Sequence, residues 1–289
     1  MTLVPEKRWL VTGAGGMLGT DLMAVLGDRD ATGLTRAELD ITDPGAVLAA
    51  VEGFDVVVNA SAYTRVDDAE AHEQDAHAVN ALGAQNLARA TAAHGSALVQ
   101  LSTDYVFDGR ATAPYPEGAP RDPQSAYGRT KARGEVLALE ADPAGTRILR
   151  TAYLYGEHGP SFPRTMLRLA AERETVDVVT DQVGQPTWTM DLARQIVRMA
   201  DADAPAGIYH GTSSGQASWF EFARAVFELG GHDPDRVKPT DSARFVRPAP
   251  RPSYSVLGHD AWPAAGIEPL RDWREALAAA FSSGALEAQ

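Results

Sequence analysis

A tyrosine and a lysine four residues apart, Tyr127 and Lys131, have the types and the spacing needed for proton transfer. On a helix, two side chains at this spacing lie on one face, a turn apart. An ammonium group beside a phenol favours the phenolate, so we expect Lys131 to lower the pKa of Tyr127 from about 10 towards neutrality. Such a tyrosine can give or take a proton near pH 7. The spacing also fits a surface helix contact, and the neighbouring motifs decide between the two.

Three glycines lie between an apolar, strand-like run and a run with helical spacing. This is the context of the dinucleotide-binding fingerprint, in which glycines permit a tight turn, close approach of a pyrophosphate and close helix–strand packing. The pyrophosphate would rest on the N-terminus of the helix. A flexible glycine loop without a ligand is the alternative. The candidate cofactor residues of this turn are Gly13, Gly16, Met17, Leu18 and Gly19.

The end of the second predicted strand selects the nicotinamide cofactor. An acid there holds the ribose hydroxyl of NAD, whereas an arginine accommodates the 2′-phosphate of NADP. The strand end has Arg36 and no acid, which favours NADPH and leaves NADH possible, while a solvated surface arginine is the alternative. Asp40 and Ile41 are expected against the adenine ring. The candidate cofactor contacts after the third strand are Ala60, Ala62, Tyr63 and Thr64.

Strand-like and helix-like runs alternate through the first half of the chain, which is typical of βαβ units around a parallel sheet. One long helix is predicted over residues 76–93. The predicted fold class is α/β, a Rossmann-like doubly wound parallel sheet with a smaller C-terminal substrate lobe interleaved in the sequence. The predicted dinucleotide-binding domain comprises residues 1–154 with a returning segment at about 185–220, and the predicted substrate lobe comprises residues 155–184 and 221–289.

Composition narrows the class of protein. The chain has 289 residues and a net charge of −13, which argues against nucleic acid and anionic membranes as partners. It contains no cysteine, so disulfides and thiolate nucleophiles are excluded. The seven histidines are scattered, and no metal site is expected. Because neither a signal peptide nor a membrane-spanning run is recognisable, we expect a soluble cytoplasmic protein.

Four further motifs resemble those of a known family: Asn59–Thr64, Ser102–Gly109, Asp181–Thr187 and Arg251–Leu257. With the glycine turn and the tyrosine–lysine pair, they are similar to the dTDP-4-dehydrorhamnose reductase family, which belongs to the extended short-chain dehydrogenase/reductases. The resemblance covers almost the whole chain. It implies NAD(P)H-dependent reduction of the 4-keto group of a dTDP-linked 4-keto-6-deoxyhexose, with dTDP-4-dehydro-L-rhamnose as the leading substrate.

The resemblance also implies roles for individual residues. Tyr127 would protonate the oxygen that becomes an alkoxide, Lys131 would hold the nicotinamide ribose hydroxyls, and Thr103 would orient the carbonyl oxygen. Independently of the resemblance, we expect a monomer or a homodimer and no bound metal. The implied substrate-binding residues are Thr103, Asp104, Tyr153 and Arg251.

Two of these substrate residues have an alternative role, and a third departs from the family pattern. Asp104 would touch the sugar, or it caps a turn. Arg251 would face the nucleotide, where an arginine fork suits phosphate oxygens, or it is a solvated loop residue. Tyr153 stands where the family commonly has tryptophan, which changes the stacking surface and the hydrogen-bonding edge. The identity of the sugar therefore stays open.

Other functions compete with this reading. A 4-ketoreductase for another dTDP-deoxysugar, one that decorates a secondary metabolite, differs only in the sugar. A non-catalytic cofactor-binding regulatory subunit is a second class, and intact Thr103, Tyr127 and Lys131 argue against it. An epimerase or dehydratase is the third, but Asp104-Tyr105 lacks the paired carboxylates expected of a dehydratase.

Overall fold

The computed structural model describes residues 6–286. Residues 1–5, on which the signal-peptide prediction partly rests, and residues 287–289, the end of the predicted substrate lobe, lie outside the described residues. A six-stranded sheet forms the centre, and every pair of neighbouring strands in it is parallel. Helices cover this sheet, so the predicted α/β fold class is confirmed.

The sheet strands are numbered β1 to β6 in chain order, and their order across the sheet is β6-β5-β4-β3-β1-β2. They are β1 (Trp9–Thr12), β2 (Ala31–Leu34), β3 (Val56–Asn59), β4 (Ala97–Thr103), β5 (Thr146–Thr151) and β6 (Gly207–His210). The helices of eight or more residues are α1 (Met17–Leu26), α2 (Pro44–Val51), α3 (Ala84–His94), α4 (Ala126–Ala141), α5 (Phe162–Glu172), α6 (Thr189–Asp201), α7 (Trp219–Leu229) and α8 (Trp273–Ser282).

Local sequence explains most of these boundaries. β3 is buried at every position, as expected of a strand covered on both faces. α2 begins where Asp43 accepts hydrogen bonds from the N–H groups of Gly45 and Ala46, with Pro44 at the first helical position. The C-terminal helices α5, α7 and α8 share a second apolar cluster, in which Phe222 packs against Trp273. The strand and the helix start are predictable from sequence because they depend on neighbouring residues.

The predicted helix over residues 76–93 is wrong in its geometry. A short helix, Glu73–His77, runs through a π-helical turn, Ala78–Gly83, into α3. The π turn contains Asn80, whose side chain accepts from the Tyr63 N–H at 2.8 Å and donates to the Thr130 hydroxyl at 3.1 Å. A wider turn of this kind is typical of functional regions, and here it fixes the loop after β3 against α4.

A buried ion cluster joins β4, α4 and β5. The Glu135 carboxylate on α4 accepts two hydrogen bonds from Arg150 on β5, at 2.7 and 2.8 Å, one from Arg121 and one from the Ser102 hydroxyl, both at 2.5 Å. Glu135 and Arg150 are fully buried. Burial alone would raise the pKa of Glu135, but the Arg150 hydrogen bonds and the charges of Arg150 and Arg121 hold it below its usual value. The cluster therefore contains a permanently charged carboxylate.

We predict that Glu135→Gln lowers the free energy of unfolding by about 3–5 kcal/mol, because it leaves buried Arg150 without its counter-charge. Urea unfolding measures this loss. The matched control is Glu73→Gln, which breaks a half-exposed pair with Arg129 and should cost no more than about 1 kcal/mol. Equal losses for the two variants would contradict the importance of the buried cluster.

Candidate active site

The end of β4 and the start of α4 bring Thr103 and Tyr127 together. α4 begins after Ser125, whose hydroxyl accepts from the Gly128 N–H at 3.1 Å. A Cβ at Gly128 would lie 2.3 Å from the Tyr105 carbonyl oxygen, so only glycine lets the helix start pack on the turn after β4. In this arrangement the Thr103 hydroxyl faces the Tyr127 phenol. The structure thus pairs the two residues implied for the carbonyl oxygen.

The expected lowering of the Tyr127 pKa is wrong. Burial raises the pKa of Tyr127 to about 12, while the neighbouring Thr103 hydroxyl opposes that rise. Lys131 does not act on the phenol, because its ammonium donates to the Leu101 carbonyl oxygen at 2.6 Å. Burial lowers the pKa of Lys131 to about 8, and the Glu135 charge opposes this lowering. Tyr127 is therefore a protonated phenol over the neutral pH range.

A buried chain of hydrogen bonds links Lys131 to the first strand. The Thr12 hydroxyl donates to Asn59 at 2.8 Å, the Asn59 amide donates to Gln100 at 2.8 Å, and the Gln100 amide donates to the Leu101 carbonyl at 2.8 Å. This carbonyl is also the acceptor for Lys131. Sequence reasoning missed Gln100 as a site residue, although a polar amide inside an apolar strand is a recognisable signal.

The glycine turn has the geometry that a pyrophosphate requires. Gly13 has φ +74°, and a Cβ there would lie 2.7 Å from the Ser61 nitrogen. A Cβ at Gly19 would lie 2.2 Å from the Gly13 carbonyl oxygen, which shows how closely α1 packs on the turn. The Leu18 side chain lies in the core, so its contribution would come from its backbone N–H in the first turn of α1. Met17 is half-buried beside it.

A cavity of about 280 Å³ opens beside this turn. Thr64 is exposed and lies outside its lining. Five lining residues were not predicted from sequence; Thr35 and Ser61 adjoin predicted residues, whereas Leu39 and Val79 gave only an apolar signal. The predicted residues in the lining are Gly13, Gly16, Arg36, Asp40, Ile41, Ala60, Ala62 and Tyr63, and the additional ones are Gly15, Thr35, Leu39, Ser61 and Val79.

The polar end of this cavity carries Arg36 and Asp40. Both side chains are exposed. Asp40 accepts from the Thr42 N–H and hydroxyl at 2.9 and 2.8 Å, which lowers the pKa of its carboxyl. The Thr35 N–H and hydroxyl both donate to Glu38 at 2.8 Å. Arg36 is thus the cation of this lining, in the position suited to a 2′-phosphate.

On the other side of Thr103, the predicted substrate residues form a buried polar cluster. Asp104 is 3 % exposed, and its Oδ2 atom has no hydrogen-bond partner. Tyr153 adopts φ +48° and stacks on Trp219, with ring centroids 3.8 Å apart. Ser255 is fully buried and faces both Asp104 and Tyr153, without the geometry of a hydrogen bond to either. Sequence reasoning placed Ser255 in a family motif but gave it no role.

Arg251 lies at the mouth of a second cavity, of about 380 Å³. Its guanidinium forms an ion pair with Asp67 at 2.9 Å and donates to the Ala249 carbonyl at 3.0 Å. The ion pair ties the irregular loop at 244–252 to the segment after β3. Aromatic rings of Phe162, Trp219 and Phe245 line the same cavity. A cavity with both rings and a cation suits a flat base with an attached anionic group.

A family model described as RmlD substrate binding domain matches residues 7–285. The chain belongs to this family. The resemblance found in the sequence is thereby confirmed. No group of three or more potential metal ligands, and no helix long and apolar enough to cross a membrane, occurs among residues 6–286.

Named relatives of this family are similar to the chain in sequence and in structure. It is 51% identical over 278 residues to the dTDP-4-keto-6-deoxy-D-glucose reductase of Streptomyces niveus, covering 95% of this chain and 96% of that one. It is 50% identical over 289 residues to the dTDP-4-dehydrorhamnose reductase of Streptomyces griseus, covering 97% and 95%. The crystal structure of the Bacillus anthracis dTDP-4-dehydrorhamnose reductase in complex with NADP superposes with a TM-score of 0.92 at 35% identity, covering 96% and 99%.

We predict that Arg36→Ala raises the KM for NADPH about ten- to a hundredfold and leaves the KM for NADH unchanged, since a charge-assisted hydrogen bond to the extra phosphate is lost. Initial rates with each cofactor measure the difference. Arg89→Ala, on the exposed face of α3, serves as the control and should change neither KM. A parallel rise for both cofactors would contradict a phosphate contact at Arg36.

Proposed function

We propose that this chain is an NADPH-dependent reductase of the 4-keto group of a dTDP-linked 4-keto-6-deoxyhexose. The observation that carries the proposal is the contact between the Thr103 hydroxyl and the Tyr127 phenol, at the carboxyl edge of a sheet that also carries a dinucleotide-type glycine turn. Ligands of open α/β sheets bind at this edge. Both named Streptomyces relatives are reductases of dTDP-4-keto sugars.

The residues present fit a nicotinamide dinucleotide. A Cβ at Gly13 would clash with the backbone of Ala60 and Ser61, so glycine lets the turn pack on the loop after β3. The turn lines the cavity, and Arg36 supplies a cation for the 2′-phosphate. The Bacillus anthracis relative was crystallised with NADP, which supports NADPH here, while NADH remains a usable second cofactor. When bound, the cofactor supplies a hydride to the carbonyl carbon of the sugar.

Residues of the chain position and protonate the carbonyl oxygen in this proposal. Tyr127 is protonated at neutral pH and donates its proton as the oxygen gains negative charge. Thr103 holds the oxygen beside the phenol. Lys131, whose ammonium is held by the Leu101 carbonyl, presents that ammonium to the ribose hydroxyls. These are the roles that we propose for the three catalytic residues.

The substrate lies between Thr103 and the second cavity in this proposal. Asp104 and Tyr153 face the sugar, and Arg251 exchanges Asp67 for the diphosphate. The proposed domains are residues 1–154 with 185–220 for the cofactor, and residues 155–184 with 221–289 for the nucleotide sugar. We further propose a cytoplasmic protein that acts as a monomer or a homodimer.

Two sugars compete as the physiological substrate. The leading one is dTDP-4-dehydro-L-rhamnose. Another dTDP-deoxysugar is the second, and it is favoured by Tyr153, which presents a hydroxyl to Ser255 where the family commonly has the indole of tryptophan. NADPH oxidation with dTDP-4-keto-6-deoxyglucose, with and without a 3,5-epimerase, separates them. Turnover that requires the epimerase supports the rhamnose route, and no oxidation in either mixture would overturn the reductase proposal.

We predict that Tyr127→Phe lowers kcat about 10²- to 10⁴-fold and leaves NADPH binding unchanged, because the ring remains and only the proton donor is lost. Steady-state rates and NADPH fluorescence titration measure the two effects. Tyr209→Phe on β6 is the matched control, since it removes a hydroxyl that donates only to the Pro205 carbonyl. A Tyr127→Phe enzyme with the wild-type rate would refute the assigned proton donor.

A further inference from the structure

The Thr103 hydroxyl has one proton but more than one group to which it could donate that proton. It donates to the Oδ1 atom of Asp104 at 2.9 Å and accepts from the Tyr105 N–H at 3.2 Å. A threonine hydroxyl has one proton and two acceptor lone pairs. When that proton is held by Asp104, Thr103 can offer only a lone pair to the Tyr127 phenol and has nothing to donate to a carbonyl oxygen. The observed geometry therefore conflicts with a substrate-orienting Thr103 as long as Asp104 is ionised.

We infer that Asp104 is a positioning residue that decides which way the Thr103 hydroxyl donates. Ionised Asp104 retains the Thr103 proton. Protonated Asp104 donates its own proton to the Thr103 oxygen, and the Thr103 proton then turns towards the carbonyl oxygen of the substrate. The inference rests on the proposed reductase function and adds a residue that acts through Thr103.

The surroundings of Asp104 allow both forms. The titratable groups that face it are the phenols of Tyr105 on the same turn, Tyr127 on α4 and Tyr153 after β5, and Ser255 approaches from the C-terminal loop. No lysine or arginine is among the groups acting on Asp104 in the described part of the chain. The nearest fixed charges, Arg251 and Asp67, act on Tyr105.

The pKa of Asp104 is consistent with a carboxyl that exists in both protonation states. Burial raises the pKa of Asp104 to about 6, against the opposing effects of Ser255 and Thr103. The Oδ2 atom is buried without a hydrogen bond, so an ionised carboxylate is only partly satisfied. A proton on this carboxyl removes the unsatisfied charge. Both protonation states of Asp104 are thus populated between about pH 5 and pH 7.

The two states differ in the number of donors at the reacting oxygen. With neutral Asp104, Thr103 and Tyr127 both donate to the oxygen as it becomes an alkoxide. With ionised Asp104, only Tyr127 donates. The proton that ends on the product comes from Tyr127 in either case, so Asp104 gains and loses nothing in the reaction itself. Removal of one donor from a developing oxyanion lowers kcat by about 10²–10³-fold.

The test is the rate of hydride transfer in a single turnover, with NADPH and dTDP-4-keto-6-deoxyglucose or its epimerised form, from pH 5 to pH 7.5. This range lies below the pKa of Lys131, which is about 8. We expect the wild-type rate to fall at least about tenfold across it, as Asp104 ionises. In Asp104→Asn the amide donates to Thr103 at every pH, so its rate should match the wild-type rate at low pH and stay constant.

Two further variants sharpen the test. Thr103→Val should be slow and independent of pH, because no hydroxyl is left to turn. Asp108→Asn, a control whose carboxyl accepts from Tyr115 rather than Thr103, should keep the wild-type profile. NADPH binding and thermal unfolding show whether each variant is folded.

Two outcomes would overturn the inference: an Asp104→Asn enzyme that keeps the wild-type fall with pH, or one that is slow at every pH. The second would mean that the carboxylate itself holds the substrate. Either outcome leaves the reductase proposal standing, because the wild type still turns over. Absence of wild-type turnover at every pH overturns the reductase proposal and, with it, the role of Asp104.

Discussion

The active-site geometry depends on one buried carboxylate, that of Glu135. It binds Ser102, which immediately precedes Thr103 on β4, and Arg150 on the neighbouring strand β5. Glu135 lies on α4 one turn beyond Lys131, so a single anion fixes the helix against the strand end that it must meet. Burying charged groups away from water costs free energy unless each has its hydrogen-bond and ion-pair partners. The cluster therefore forms only when α4, β4 and β5 are in this one register. The contact between Thr103 and Tyr127 is a consequence of this constraint.

The same edge of the sheet carries the glycine turn. The hydrogen-bond chain from Thr12 through Asn59 and Gln100 to the Leu101 carbonyl crosses β1, β3 and β4 and ends where Lys131 donates. Because parallel strands end together at this edge, polar side chains from separate strands can form one continuous buried network. The glycine turn and the candidate catalytic residues are therefore joined by a single polar layer above an apolar core.

Sequence predicted the strands and the glycine turn at Gly13 from local pattern, and it brought Thr103 and Tyr127 together only through the family resemblance. It could not predict features set by distant contacts. The π turn follows from the bonds of Asn80 to Tyr63 and Thr130, and the pairing of Arg251 with Asp67 joins segments far apart in the chain. The pKa of Tyr127 was missed for the same reason, since burial and the direction of the lysine side chain outweigh a spacing of four residues.

We propose above all that this site delivers hydride to the 4-keto carbon of a nucleotide-linked sugar. The most direct measurement uses NADPH that carries two deuterium atoms at nicotinamide C4, with a dTDP-4-keto-6-deoxyhexose, and locates the label in the product by NMR. The account predicts one deuterium on sugar C4 for each cofactor oxidised. A folded, NADPH-binding protein that leaves C4 of the sugar unlabelled would contradict it.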